Sequence, residues 1–346
     1  MNFKSDNESP AHPLVIQALL AANEGMATAY ADDDWSNQLN AAFSERFETD
    51  CSVLPIATGT AANSVSLAAV CPPWGGVLCH QAAHIHNDEG GAPEFYTDGA
   101  KLIPLPGSHG KLNPQRLAAA IEGAGVHGVH NVKPSVVSIT QATECGTTYS
   151  VDEVRAIASV CQRYQLPLQM DGARFANAVV HLGCTPADIT WKAGVDMLSF
   201  GATKNGAVTA EAIVVFGRPE WLEAMDRRRK RGGHLLSKMR YVSAQLLAML
   251  DQDLWLQLAD QANLRAAELA QGIEQCDGVS LQWPVQANEV FMQASPERFE
   301  SLLASGASFH LWPGHDNLAR LVCSWCTSED DVQSMIALLD ATESKV

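Results

Sequence analysis

Three short segments of the chain contain residue types that could bind a small anion and do amine chemistry. Thr58-Gly59-Thr60 stands between an apolar run and an Ala-rich stretch, so hydroxyls and backbone N–H groups at a helix start would face one point. Asp171 follows a second apolar run, and Lys204 lies in a turn of small residues after a third. A phosphate cradle, a carboxylate and an amine able to form an imine are the parts needed to bind pyridoxal 5′-phosphate.

Each segment alone also fits a simpler role. A capped helix, a structural turn and a surface lysine would explain the three segments one by one. Asp171 is the strongest signal, because an Asp with Arg174 three residues later is costly to bury without a partner or a purpose.

Elements of an α/β fold must position these residues. Short β-branched runs alternate with Ala- and Leu-rich stretches, which predicts a mainly parallel, doubly wound sheet covered by helices on both faces. Ligands bind at the carboxyl ends of strands in such sheets, so Asp171 and Lys204 are expected at one edge. The predicted strands are 51–56, 77–79, 102–104, 135–140, 167–170, 196–200 and 212–216.

The pattern of strand-like and helix-like segments changes after residue 216. A long helical region over 218–275, broken near Gly232 and Gly233, precedes a smaller set of strands at 279–282, 288–293, 308–311 and 318–324. We therefore expect a large cofactor-binding α/β domain with the N-terminal segment, residues 1–243, and a small C-terminal α+β domain, residues 244–346.

Composition excludes several classes of protein. The 346 residues include 23 Lys and Arg against 39 Asp and Glu, a net charge of −16, which gives no general attraction for nucleic acid or anionic lipid. The longest apolar runs are far shorter than the ~20 residues of a membrane span. Nine cysteines, an odd number, without an apolar signal segment favour a reducing, cytoplasmic location.

Three further motifs are weaker. The G-x-G-x-x-G spacing at 123–128 ends a predicted helix, whereas a dinucleotide fingerprint opens one. His84, His86 and Asp88 have spacing that could ligate zinc, which leaves a zinc hydrolase as a remote alternative, although no second ligand cluster follows. The basic run at 227–231 suits the C-terminal end of a helix. We expect no metal site.

The ordered set of motifs resembles the aspartate-aminotransferase-like, fold type I pyridoxal phosphate enzymes. The resemblance covers nearly the whole chain and is closer to the L-threonine aldolase and β-eliminating lyase group. The matching segments are Ser5-Asp6, Tyr30-Ala-Asp32-Asp33, Thr58-Gly-Thr-Ala-Ala-Asn63, Gln81-Ala-Ala-His84, Asp171-Gly-Ala-Arg174, Thr203-Lys204, Met239-Arg240 and Arg320-Leu-Val322.

The resemblance implies a role for each site residue. Lys204 would form the imine with the cofactor, and Asp171 would pair with the pyridine nitrogen and keep it protonated. His84 would stack on the ring. The phosphate would be bound by Gly59, Thr60, Thr203 and Arg240, with Arg240 from a neighbouring subunit. The substrate carboxylate would be bound by Ser5, Arg174 and Arg320, of which Arg174 also counts among the cofactor contacts.

The implied reaction is the cleavage of the Cα–Cβ bond of L-β-hydroxy-α-amino acids to glycine and an aldehyde. A base must take the β-hydroxyl proton, and His84 is the first candidate, with His86 and Glu89 after it. A β-eliminating lyase or aminotransferase is the alternative. The resemblance also implies a homotetramer built from dimers, with small-molecule amino-acid substrates.

Two departures from the aldolase pattern concern the substrate pocket. Glu144 stands where a family histidine is expected, and the spacer from Gly233 to Met239 is longer than expected. With these changes the chain resembles the phenylserine aldolase branch, whose members cleave L-phenylserine to benzaldehyde and also accept L-threonine, which yields acetaldehyde.

Overall fold

Two sheets organise the fold in the computed structural model, which describes residues 1–343. The strands of the large sheet are β1 (Cys51–Ile56), β2 (Gly75–His80), β3 (Lys101–Leu105), β4 (Lys133–Thr140), β5 (Leu168–Gly172), β6 (Met197–Gly201) and β7 (Glu211–Phe216). Their order is β1-β7-β6-β5-β4-β2-β3. The pairs β6–β5, β5–β4, β4–β2 and β2–β3 are parallel, whereas β7 runs antiparallel to both of its neighbours, β1 and β6. The predicted strands are confirmed, with ends shifted by at most two residues.

Helices surround the large sheet and connect it to the small one. The α-helices of the described residues are α1 (Pro13–Ala22), α2 (Asp34–Phe47), α3 (Gly59–Val70), α4 (His84–Asn87), α5 (Ala92–Tyr96), α6 (Pro114–Gly123), α7 (Val151–Arg163), α8 (Phe175–Leu182), α9 (Pro186–Ile189), α10 (Leu222–Arg231), α11 (Arg240–Leu250), α12 (Leu254–Gln275), α13 (Pro296–Ala304) and α14 (Glu329–Glu343). None of them is both long and apolar enough to cross a bilayer.

Each face of the large sheet has its own apolar core. On one face, α2, α7 and α8 pack with the first half of α12. Phe200 contacts both Phe43 and Trp255 there, with ring centroids 5.1 and 5.3 Å apart. On the other face, α3 and α10 cover β1, β2 and β7. Because both faces are covered, the central strands β5 and β6 are buried along their whole length rather than at alternate residues.

Local chemistry starts the helices where the sequence predicts. Ser150 and Glu153 form a capping box at α7, and the Asn113 side chain accepts a hydrogen bond from the Arg116 N–H at α6. The helical region at 218–275 differs from prediction, because it contains three helices and a second break at Asp251–Asp253, where Gln252 has a φ of 48°.

The small sheet is antiparallel and follows α12. Its strands are β8 (Ser280–Leu281), β9 (Glu289–Gln293), β10 (His310–Leu311) and β11 (Leu318–Val322), in the order β10-β11-β9-β8. The second half of α12 packs with α13 and α14 over this sheet. The N-terminal segment joins it, since the Phe3 N–H donates to Ser308 O and Phe3 is buried in this core. The predicted division at residue 243 stays a prediction, because the core beside α2, α7 and α8 and the core of the small sheet meet within α12.

Candidate active site

One cavity of about 640 Å³ lies between the large sheet, the N-terminal turn and the small sheet. The strands β1, β2, β4, β5 and β6 all direct their carboxyl ends to this side, as the sequence predicts for the ligand edge. Five of the predicted site residues line the cavity: Ser5, His84, Arg174, Lys204 and Arg320. The other five are not part of its lining: Gly59, Thr60, Asp171, Thr203 and Arg240.

Lys204 lies in a single helical turn, Thr203–Asn205, directly after β6. Gly201 ends the strand, and Gly206, with a φ of 107°, lets the chain reverse after the turn. The Lys204 Nζ makes no ion pair with any residue between 1 and 343, so the amine is free to react inside the cavity.

Asp171 is buried at the end of β5 and is bound only by neutral donors. The Ala173 N–H donates to its Oδ1 at 3.1 Å, and the Asn63 amide donates to its Oδ2 at 2.9 Å. No cation within the described part of the chain pairs with it. A buried carboxylate without a cation is costly, and a protonated pyridine nitrogen would remove that cost. Asp171 therefore fits the predicted cofactor.

His84 is connected to Asp171 through two intermediate side chains. The His84 Nδ1 lies 2.9 Å from Glu89 Oε1, and the same oxygen accepts the second N–H of the Asn63 amide at 2.9 Å. The Glu89 hydrogen bond raises the pKa of His84 against the opposing effect of burial. Glu89 Oε2 is buried without a partner. Asn63 thus joins the histidine to the carboxylate predicted for the ring nitrogen.

The predicted phosphate cradle lies at the start of α3. Thr58 caps this helix, and its side chain accepts a hydrogen bond from the Ala61 N–H at 3.2 Å. The N–H groups of Gly59 and Thr60 belong to the first turn, where an α-helix has no internal acceptors for them. Open space surrounds the position that a Gly59 Cβ would occupy. This geometry fits a phosphate at a helix N-terminus.

Thr203, another predicted phosphate ligand, is engaged by the backbone. Its hydroxyl accepts from the Ala210 N–H at 3.1 Å. Next to it lies Glu211, a buried carboxyl group that accepts from the Ala202 N–H at 3.2 Å and whose pKa burial raises to about 7. Glu211 was not among the residues predicted from the sequence; the available signal was an acid at the first position of an otherwise apolar strand.

The two predicted carboxylate-binding arginines differ in how free they are. Arg174 is buried and donates to both oxygens of Asp6, at 2.8 and 3.1 Å, and its Nη1 lies 3.3 Å from Glu289 Oε1. Arg320 is more exposed to the cavity and approaches Glu289 only at 3.5 Å. Arg320 is therefore the better placed of the two to receive a substrate carboxylate.

Ionic partners set the protonation of the cluster formed by Asp6, Arg174 and Glu289. Burial opposes ionisation of Asp6, but Arg174, Lys204 and the hydrogen bonds from Arg174 and Asn288 together lower the pKa of Asp6. Burial likewise opposes the Arg174 charge, yet Asp6 and Glu289 raise the Arg174 pKa. Glu289 had no signal in the sequence, since it belongs to the small sheet and meets Arg174 only in the folded chain.

The remaining predicted residues lie at or outside this cavity. Ser5 lines the cavity and caps the turn Asp6–Glu8 by accepting from the Asn7 N–H at 3.2 Å. Arg240 begins α11 and donates to Gly25 O at 3.2 Å, away from the Lys204 cavity of its own chain. Its predicted role in a neighbouring subunit stays a prediction.

The geometry gives no support to a zinc site. His84 is bound to Glu89, while His86 and Asp88 are exposed. Among residues 1–343, no three His, Cys, Asp or Glu side chains are grouped as a metal site requires.

Comparison with known proteins shows which family the chain resembles. Residues 2–295 match the family described as Beta-eliminating lyase. A low specificity L-threonine aldolase from Pseudomonas aeruginosa is 45% identical over 335 residues, which are 96% of this chain and 95% of that protein. A solved threonine aldolase from Leishmania major superposes with a TM-score of 0.90 at 28% identity, covering 99% of both chains.

More distant structures show the fold alone. An aspartate aminotransferase from Rhodobacter sphaeroides superposes with a TM-score of 0.73 at 16% identity, covering 98% of this chain and 91% of that one. The predicted aspartate-aminotransferase-like fold is therefore confirmed.

Proposed function

The chain belongs to the β-eliminating lyase family of pyridoxal 5′-phosphate enzymes, and we propose that it cleaves L-threonine and related L-β-hydroxy-α-amino acids to glycine and an aldehyde. The main support within the molecule is that two residues lie at the same sheet edge. Lys204 has a free amine in the cavity, and Asp171 is buried without a cation partner within residues 1–343. The similarity to low specificity L-threonine aldolases supports the choice of reaction.

The cofactor, when bound, supplies an electron sink for the pair left at Cα as the Cα–Cβ bond breaks. Lys204 would bind it covalently, Asp171 would keep its ring nitrogen protonated, and Gly59 and Thr60 would bind its phosphate. His84 would cover the ring, in an orientation set by the Glu89 hydrogen bond.

Substrate orientation would come from the arginines. A guanidinium binds both carboxylate oxygens and so limits rotation about the Cα–N bond, which selects the bond that breaks. Arg320 would make the direct contact, while Arg174, fixed by Asp6 and Glu289, would add positive charge behind it. Ser5 would add a hydroxyl at the same wall.

We further propose that aromatic β-substituents are accepted, with L-phenylserine as a substrate. The support is an apolar wall, formed by Leu311, Trp312 and Pro313, in the same cavity that His84 lines. A phenyl group could contact this wall, whereas the methyl group of threonine would leave part of it uncovered.

The product spectrum tests the reaction. Purified enzyme with L-threonine or L-phenylserine should yield glycine with acetaldehyde or benzaldehyde in equal amounts. Release of ammonia and a keto acid would instead support the alternative, a β-eliminating lyase or aminotransferase.

Absorption spectra test the cofactor attachment. The enzyme should show visible absorption from covalently bound cofactor, and Lys204→Ala should abolish it. The exposed Lys133 at the start of β4 provides a matched control, so Lys133→Ala should keep the colour. Wild-type enzyme that shows no visible absorption from covalently bound cofactor would contradict the proposal.

Assembly can be tested through Arg240. If Arg240 reaches the neighbouring site of a homo-oligomer, Lys204→Ala and Arg240→Ala chains should each be inactive, but a refolded equal mixture should regain about a quarter of wild-type activity. The reason is that half of the pairs are mixed and one of their two sites is complete. No recovery would place Arg240 outside the neighbouring site.

A further inference from the structure

Glu144 is a carboxyl group on the cavity wall without a partner. It lines the cavity together with His84, Lys204 and Arg320. The buried acids around it, Asp6 and Glu289, are each bound by an arginine, whereas no hydrogen bond or ion pair of the Glu144 side chain occurs within residues 1–343. Its oxygens are therefore available to a ligand.

The turn that presents Glu144 is rigid. The Thr143 N–H donates to Thr147 O at 2.8 Å, and the Gly146 N–H donates to Thr143 O at 2.9 Å. Gly146 has a φ of 70°, and a Cβ there would lie 2.8 Å from the Glu289 backbone oxygen, so only glycine fits. The turn is packed against β9, which keeps Glu144 at the cavity wall.

The surroundings of Glu144 make it a stronger base than an exposed glutamate. Burial and the neighbouring Glu289 raise its pKa to about 7, against the opposing charges of Lys204, His84 and Arg174. Near neutral pH it can therefore both accept and release a proton, as general acid–base catalysis requires.

His84, the first candidate from the sequence, is less free to act. Its Nδ1 is bound to Glu89, and its ring is the group proposed to cover the cofactor. Glu144 has no such competing contact. Of these two candidate bases in the cavity lining, His84 is bound to a carboxylate, whereas Glu144 has no hydrogen-bond or ion-pair partner within residues 1–343.

We propose that Glu144 is the base that takes the proton from the substrate β-hydroxyl. This inference rests on the proposed aldolase function. The β-oxygen transfers its proton to a Glu144 carboxylate oxygen, and the O–H electron pair becomes the second bond of the aldehyde carbonyl. The Cα–Cβ bond breaks, its electron pair stays with Cα, and a proton added at Cα completes glycine.

Glu144→Gln separates this step from the rest of the site. In the holoenzyme, cleavage of L-threonine and L-phenylserine should fall about 100-fold or more in kcat, because the amide cannot accept the proton. Exchange of the glycine α-proton in D2O should stay within about threefold of wild type, since it involves no β-hydroxyl. Asp88→Asn, at another cavity-lining carboxylate, is the charge-matched control and should leave both rates within about threefold.

Two pH measurements complete the test. The kcat/KM of wild type should fall below about pH 7, and this fall on the acid side should be absent from the pH profile of Glu144→Gln. In the apoprotein, a carboxyl group whose folded-state pKa is raised contributes less to stability as pH rises. The Tm of Glu144→Gln, measured relative to that of wild type, should therefore increase between pH 5 and 8. A Tm difference independent of pH would contradict the assignment.

Three outcomes of the rate measurements would overturn the proposal. Cleavage by Glu144→Gln within threefold of wild type would exclude Glu144 as the base. Equal loss of cleavage and glycine exchange would assign it to cofactor or substrate positioning instead. Wild-type enzyme that cleaves neither substrate would contradict the proposed function itself, and this base with it.

Discussion

Asn63 connects the two parts of the cofactor site with one amide. Its two N–H groups go to Asp171 and Glu89, at 2.9 Å each, and its carbonyl oxygen accepts from Gln169 at 3.1 Å. All of these groups are buried, and Asn63 is 1% exposed. Asn63 therefore separates two buried carboxylates and sets the orientation of both.

Asn63→Ala should weaken both the fold and cofactor binding. Two buried carboxylate oxygens lose a donor, so the free energy of unfolding of the apoprotein should fall by about 2–3 kcal/mol. The Kd for pyridoxal 5′-phosphate should rise about tenfold or more, because Asp171 is no longer oriented. Urea unfolding and titration of the apoprotein measure the two effects.

Ser66 offers a matched control in the same helix. It is buried, and its hydroxyl has no hydrogen-bond partner among residues 1–343, so Ser66→Ala removes a polar atom without breaking a hydrogen bond. Cofactor affinity should be unchanged. An equal loss of affinity in both variants would show that α3 packing, rather than the Asn63 amide, controls the site.

The protonation of His84 depends on Glu89. The hydrogen bond that His84 donates to Glu89 raises the His84 pKa above its ordinary 6.5, so the stability from this pair is complete below pH 6.5 and is lost as pH rises through the folded-state pKa. Glu89→Gln should lower the His84 pKa in the apoprotein, as followed by NMR of the imidazole protons. The His12 signal should not move, whereas an unchanged His84 signal would contradict the contact.

At the scale of elements, the ends of β5 and β6 must approach closely for Asp171 and Lys204 to lie at one sheet edge. Gly201 makes this approach possible, since a Cβ on it would lie 2.6 Å from Ala173 O and 2.8 Å from Ala173 Cα. Backbone atoms cannot move aside as a flexible side chain can. The glycine at the end of β6 is thus a requirement of the site geometry.

Gly201→Ala should separate the two strand ends. We expect a loss of about 1–3 kcal/mol in the free energy of unfolding and a weaker cofactor complex, measured by urea unfolding and absorption. Gly123→Ala, at a helix end with open space around it, should be neutral or slightly stabilising. Retention of wild-type stability by Gly201→Ala would show that the strand ends tolerate displacement.

At the scale of the whole molecule, one ionic cluster connects three parts of the chain. Asp6 comes from the N-terminal turn, Arg174 from the end of the large sheet, and Glu289 and Arg320 from the small sheet. The cluster closes the cavity on the side of the small sheet. Its burial means that loss of one partner leaves an uncompensated charge.

Asp6→Asn should destabilise the whole chain. Removing one partner of a buried pair is expected to cost about 3–5 kcal/mol at pH 7. The folded-state pKa of Asp6 lies below its ordinary 3.8, so its contribution is complete above that value and is lost as pH falls through the lowered pKa. Urea unfolding from pH 7 to 3 should therefore show the two proteins converging only at the acid end.

Glu8 is the control for this substitution. It lies in the same turn, is exposed, accepts a hydrogen bond from the Asn2 amide at 2.8 Å, and approaches Lys4 only at 3.9 Å. Glu8→Gln should leave the free energy of unfolding nearly unchanged, because exposed ion pairs contribute little. A comparable loss in both variants would place the effect in the turn itself rather than in the Arg174 pair.

Much of the fold could be predicted because its signals are local. Apolar strand patterns, the Ser150 capping box and the Asn113 cap depend on residues close in the chain. Strand order placed Asp171 and Lys204 at one edge, as the rule for parallel sheets requires. The second helix break at Asp251–Asp253 was missed, since no Gly or Pro marks it.

The sequence by itself determined the architecture and the residue types of the site, because spacing and element order are properties of the chain. Only the tertiary structure decided which side chains are free to act. It bound Arg174 to Asp6 and Glu289, bound His84 to Glu89, and left Lys204 and Glu144 open to the cavity. The Arg174–Asp6 pair joins residues 168 positions apart, and burial gives it its strength, which no local pattern records.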